Sequence, residues 1–78
     1  MNEPEFGRGD VIVHIGYISK WIVRSAAGKD YAVEYMEAED DIKVGMRLRY
    51  ISQNECETEY VKTGSKWDFI LEKEVDAD

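Results

Sequence analysis

From Asp10 onward, apolar and polar positions alternate along the chain with period two rather than 3.6, the signature of strands and not of helices. Val11, Val13 and Ile15 alternate with Ile12 and His14, and Trp21 and Val23 alternate with Ile22 and Arg24. Tyr31, Val33 and Tyr35 alternate with Ala32, Glu34 and Met36; Met46, Leu48 and Tyr50 alternate with Arg47, Arg49 and Ile51. Cys56, Thr58 and Tyr60 alternate with Glu55, Glu57 and Glu59, and Trp67, Phe69 and Leu71 with Asp68, Ile70 and Glu72. β-Branched and aromatic residues suit a pleated, half-buried surface. Six short strands at close spacing predict an all-β domain, a small five- or six-stranded antiparallel barrel or sandwich, SH3-like or OB-like. Its core is expected to hold Val11, Val13, Trp21, Val23, Tyr31, Val33, Met46, Leu48, Tyr60, Trp67, Phe69 and Leu71.

The connections refine this picture. Ala27-Gly28-Lys29-Asp30 can close a hairpin between the second and third strands, with Arg24 opposite Glu34 as a favourable cross-strand pair. The longest break, EAEDDIKVG, has room for one short helical turn near residues 38–43. Thr63-Gly64 falls where a two-residue hairpin turn would lie. That turn pairs Tyr60 with Trp67, Thr58 with Phe69 and Cys56 with Leu71, an apolar face throughout. The same register sets Glu59 against Asp68 and Glu55 against Glu72, an acidic ladder that strand stability does not favour.

Length limits the chain to one domain: a polar lead-in over 1–9, a single β domain over 10–73 and an acidic tail over 74–78. Seventy-eight residues bury only about 60% of their unfolded surface, so the nine aromatic side chains matter for the core. The net charge of −7 disfavours broad binding to nucleic acid or anionic membranes and favours cationic partners. Cys56 is the only cysteine, which excludes an intrachain disulfide and a Cys-rich zinc site. No signal-peptide pattern opens the sequence and no apolar run approaches the ~20 residues of a membrane span, so a cytoplasmic location is expected.

Candidate chemistry centres on the carboxylates. Catalysis would need two of them in different environments, one desolvated enough to keep a proton; one open strand face gives a shared, solvated one. A hard cation needs six to eight converging oxygens, whereas a flat strand spaces same-face side chains by about 6.8 Å. His14 has no Ser, Cys or Asp constellation beside it in sequence. The acids flanking Cys56 would raise its thiol pKa, so it reads as a small core residue. No catalytic residue, metal site or cofactor is therefore expected.

The remaining reading is an acidic face for a basic protein surface. It would comprise Glu55, Glu57, Glu59, Asp68 and Glu72 with Glu37, Glu39, Asp40 and Asp41. Its sharpest form is a nucleic-acid mimic that inhibits a nucleic-acid-binding protein, of the kind phages carry. The alternative is a nucleic-acid-binding barrel using Lys43, Arg47 and Arg49. Against it, Tyr50 shares parity with Met46 and Leu48 and is expected to point inward. A homodimer through an exposed first or last strand is a further option. Arg8-Gly9-Asp10 spells an adhesion tripeptide, a chance match in an acidic chain without disulfides. The stretch GRGDVIVHIG resembles the opening of small SH3-like barrels that begin Gly-Asp-x-Val. It lacks the later glycines of their nucleic-acid-binding versions, so the resemblance implies a barrel and nothing about activity.

Overall fold

The first three strands form where the alternation predicts them: β1 (Asp10–His14), β2 (Lys20–Ala27) and β3 (Asp30–Tyr35). The computed structural model describes residues 4–36 and 48–76. β2 and β3 join through Gly28-Lys29, and Gly28 has a φ of 68°, the left-handed backbone that tight hairpins require. Trp21 faces Tyr35 and Val23 faces Val33; a bulge at Arg24 then brings Ala26 opposite Tyr31. The expected Arg24–Glu34 ion pair forms at 2.9 Å, but through this bulge, because Glu34 stands directly opposite Ile22.

β4 (Leu48–Ser52) adds to β3 with Ile51 opposite Tyr31, Tyr50 opposite Ala32 and Arg49 opposite Val33. This reverses the expected parity. Ile51 is buried, while Leu48 is 47% and Tyr50 73% exposed. The stretch LRYI has apolar residues on both parities, and the side that can pack against buried Tyr31 prevails. Met46 and the helical turn expected near 38–43 lie outside the described residues.

The larger correction follows. Residues expected as the fifth strand form a helix, α1 (Gln53–Glu59). Ser52 caps it, accepting the Glu55 N–H at 3.2 Å, and Ser52-Gln53-Asn54-Glu55 has the spacing of a capping box. Cys56 and Tyr60, four apart, turn inward together, and Cys56 is fully buried as expected. Alternating glutamates satisfy a strand pattern, but glutamate and glutamine are good helix formers once a cap is present.

β5 (Tyr60–Asp68) then runs straight through Thr63-Gly64, which is not a turn. Ile12 faces Lys62 and Asp10 faces Lys66, so four steps along β5 match two along β1. The excess is a bulge with Gly64 at φ 93°, and Thr63 Oγ1 donates to the Val11 carbonyl at 3.1 Å. The true turn is Phe69–Glu72, where Asp68 Oδ1 accepts the N–H groups of Ile70 and Leu71 at 2.8 and 2.9 Å. It leads into β6 (Lys73–Asp76), so residues assigned to the tail pair into the sheet. Asp68 faces Lys73 and Trp67 faces Glu74; the acidic ladder does not exist, and Leu71 is 60% exposed.

The six strands form one antiparallel sheet in the order β4-β3-β2-β1-β5-β6. The all-β class holds, while no barrel closes: β4 and β6 are the two edges among the described residues. One face buries Ile12, Trp21, Val23, Tyr31, Val33, Tyr35 and Ile51 beneath Cys56, Tyr60 and Phe6. On the other face, Val11 and Ile22 are buried. There the β5–β6 hairpin reaches over β2: Glu74 meets Lys20 at 3.4 Å, and the Arg8 and Arg24 guanidiniums stack on Phe69.

Candidate interaction surface

The three glutamates of α1 divide between two roles. Glu57 turns toward the body of the protein. Its carboxylate accepts the Tyr31 hydroxyl at 2.5 Å and the Glu5 N–H at 2.9 Å. These hydrogen bonds, the Tyr31 hydroxyl first, hold the Glu57 carboxyl below the usual range. Burial, followed by the bond to Glu57, pushes the Tyr31 phenol up to about 12. Burial also pushes the Cys56 thiol up to about 12, helped by the charges of Glu57 and Glu55. A thiol so placed stays protonated and is a packing group rather than a nucleophile.

Glu55 and Glu59 point outward, one helical turn apart on the same face. Like charges at this spacing disfavour the helix, and an acid in the last turn opposes the helix dipole. One compensation is visible: Glu59 Oε1 meets His14 Nε2 at 3.2 Å. The His14 ring in turn stacks on Tyr17 (4.6 Å, 8°) and leans on Tyr60 (4.6 Å, 33°). The backbone binds the same two regions, because the Ile15 N–H donates to the Glu59 carbonyl at 2.8 Å.

The turn after β1 is thereby docked beside the end of α1. Gly16, at φ 90°, and the Tyr17 N–H bond to the His14 carbonyl (3.0 Å) shape it. It displays Ile15 at 56%, Tyr17 at 65% and Ile18 at 91% exposure. Three large apolar side chains in four residues, beside Glu59 and His14, form an exposed apolar patch at the acidic end of α1. Sequence reading counted Ile15 as a strand residue and passed over Tyr17 and Ile18. The available signal was HIGYIS, an apolar cluster interrupted by the glycine that ends the strand.

The other candidate residues lie apart from this surface. Asp68 is engaged in the β5–β6 turn and Glu72 sits there at φ 55°. Glu37, Glu39, Asp40, Asp41, Lys43 and Arg47 lie outside the described residues. Arg49 reaches the Trp21 ring at 5.7 Å, on the face opposite Tyr50. An arginine and an aromatic of one strand therefore do not share a surface there. Asp10, the acid of Arg-Gly-Asp, is buried and paired with Lys66 at 3.1 Å and Lys62 at 3.9 Å. Among the described residues, no group of three His, Cys, Asp or Glu is placed to hold a metal ion. Nor is any helix there long and apolar enough to cross a membrane. No protein-family model matches the chain, and neither a curated protein nor a solved structure does.

Proposed function

We propose that this protein is a non-enzymatic interaction module that binds and regulates a basic protein surface. The observation that carries this reading is Glu59, an outward acid in the last turn of α1 where it opposes the helix dipole, docked beside the exposed Ile15, Tyr17 and Ile18. Exposed apolar side chains beside unfavourably placed acids are costly to keep unless a partner covers them. The fitting partner offers an apolar pocket for Tyr17 or Ile18, with Lys or Arg around its rim. A nucleic-acid-binding protein is one class with such a rim, and inhibition by occupying its basic surface is the sharper form of the proposal. Of the acids of the expected ladder, Glu55 and Glu59 are assigned to this surface, and Asp68 and Glu72, in the β5–β6 turn, are not.

The test is capture from lysate by the immobilised full chain over a salt series, with Glu55→Lys/Glu59→Lys and Tyr17→Ala/Ile18→Ala as separate variants. Charge reversal is expected to remove salt-sensitive capture, and the apolar variant to remove what persists at high salt. Partners retained equally by both variants would overturn this assignment of the surface.

A further inference from the structure

The segment before β1 is held in an unusual way. Phe6 is 4% exposed and packs against Tyr31, with ring centroids 5.4 Å apart. Three consecutive backbone N–H groups are each taken by a side chain, two on distant elements and the third within the local turn that the Asp10 N–H closes on the Gly7 carbonyl at 3.0 Å. Glu5 donates to Glu57 at 2.9 Å, Phe6 to the Tyr31 hydroxyl at 3.1 Å, and Gly7 to Asp10 Oδ2 at 2.8 Å. Strands satisfy such groups through a backbone ladder. Here Glu57 and Tyr31 hold the segment through side-chain acceptors and an aromatic anchor, as a binding groove holds a peptide.

Open space accompanies the segment. A cleft of about 420 Å³ between it and the α1–β5 junction is lined by Glu57, Tyr60 and Val61. A second, of about 370 Å³, lies toward the bulge of β5 and is lined by Asp10, Gly64 and Lys66. Lys62 borders both. Both clefts open to solvent and are lined in part by Glu5 and Phe6 themselves.

We infer that this is a peptide-binding groove filled by the chain's own residues 4–7, and that it accepts in their place a segment that brings an aromatic side chain and two successive backbone N–H donors. The occupant seated in it defines the ligand chemistry: an aromatic ring for the Phe6 pocket, and successive N–H donors for Glu57 and Tyr31. The tethered segment competes at a high effective concentration, so an outside peptide is excluded until the segment is weakened. This inference is independent of the surface formed by the β1–β2 turn.

The experiment uses the full chain carrying Phe6→Ala and a synthetic peptide of residues 3–9, followed by amide NMR shifts of Tyr31 and Glu57. The peptide is expected to shift these amides saturably in the variant and at least about tenfold more weakly in the wild type, where the tethered copy competes. A peptide with alanine at its phenylalanine is expected to do neither. Absence of saturable shifts in the folded variant, or equal shifts with both peptides, overturns the inference. If the variant does not fold, amide exchange of the wild type decides. Faster exchange at Glu5, Phe6 and Gly7 than in β2 and β3 supports a groove that empties locally. Exchange at the global unfolding rate overturns it, because the segment is then inseparable from the core.

Discussion

Glu57 stands two residues from both Glu55 and Glu59 on the same short helix, yet the two sides of α1 do different work. On the inner side, Glu57, Tyr31 and Phe6 are hydrogen-bonded into one set around buried Cys56, and no buried side-chain nitrogen or oxygen among the described residues lacks a partner. On the outer side, Glu55 and Glu59 repel each other beside an exposed apolar turn. The difference teaches that residue type and spacing did not distinguish structural from surface carboxylates here. Neighbouring donors did: a buried phenol and a backbone N–H claim one glutamate, and solvent keeps another.

The comparison breaks most readily at Phe6. Replacement by alanine is expected to cost about 3–5 kcal/mol in urea denaturation, the usual range for a buried phenylalanine. A cost near zero would mean that the N-terminal segment contributes nothing to the inner side. Tyr31→Phe keeps the ring and removes the hydroxyl that links Phe6 to Glu57. A loss of about 1–3 kcal/mol is expected, because the buried Phe6 N–H loses its acceptor, while Glu57 keeps the Glu5 N–H.

The pH dependence tests Glu57 more finely. Its carboxyl is held below 4.5 in the folded protein, so it binds protons less readily there than in the unfolded chain. The stabilisation is therefore present above about pH 4.5 and lost as pH falls through the folded value. Denaturation at several pH values is expected to show wild type losing stability faster than Glu57→Gln over this acidic window. Parallel curves would remove Glu57 from the inner set.

The outer side predicts small effects on folding. Glu55→Gln relieves the like-charge pair with Glu59 but removes a charge that favours the first helical turn, and is expected to shift stability by less than about 0.5 kcal/mol. Ile18→Ala, at a 91% exposed position, is expected to shift stability by less than about 0.5 kcal/mol while weakening partner capture. A large folding defect from either change would reassign that residue to the structural side.

The strands β1 to β3 were legible because their apolar sets alternate cleanly and Gly28 marks the turn between two of them. The region after Ser52 was not, for three physical reasons. CETEY satisfies period two along a strand and also i,i+4 along a helix, and only the Ser52–Glu55 cap decides between them. Gly64 signals left-handed backbone, which a bulge requires as much as a turn does. In LRYI, both parities carry apolar residues, so the facing strand had to choose. For the candidate surface, individual acids were visible in sequence. Their separation into inner and outer roles, and their meeting with Ile15, Tyr17 and Ile18, depends on α1 folding beside a turn 40 residues away in sequence.

The edge strand β6 has a bearing on how copies of the chain meet. Two copies pairing antiparallel about a two-fold axis perpendicular to the sheet must keep matching faces together. Residues can then oppose each other only in registers centred on one residue. Centring on Val75 sets Glu74 against Asp76, centring on Glu74 sets it against itself, and centring on Lys73 does the same to that lysine. Each such register opposes like charges, which disfavours strand addition. The four residues Lys73–Asp76 thus work as a self-repelling border, leaving the open sheet less prone to grow by templating on its own kind.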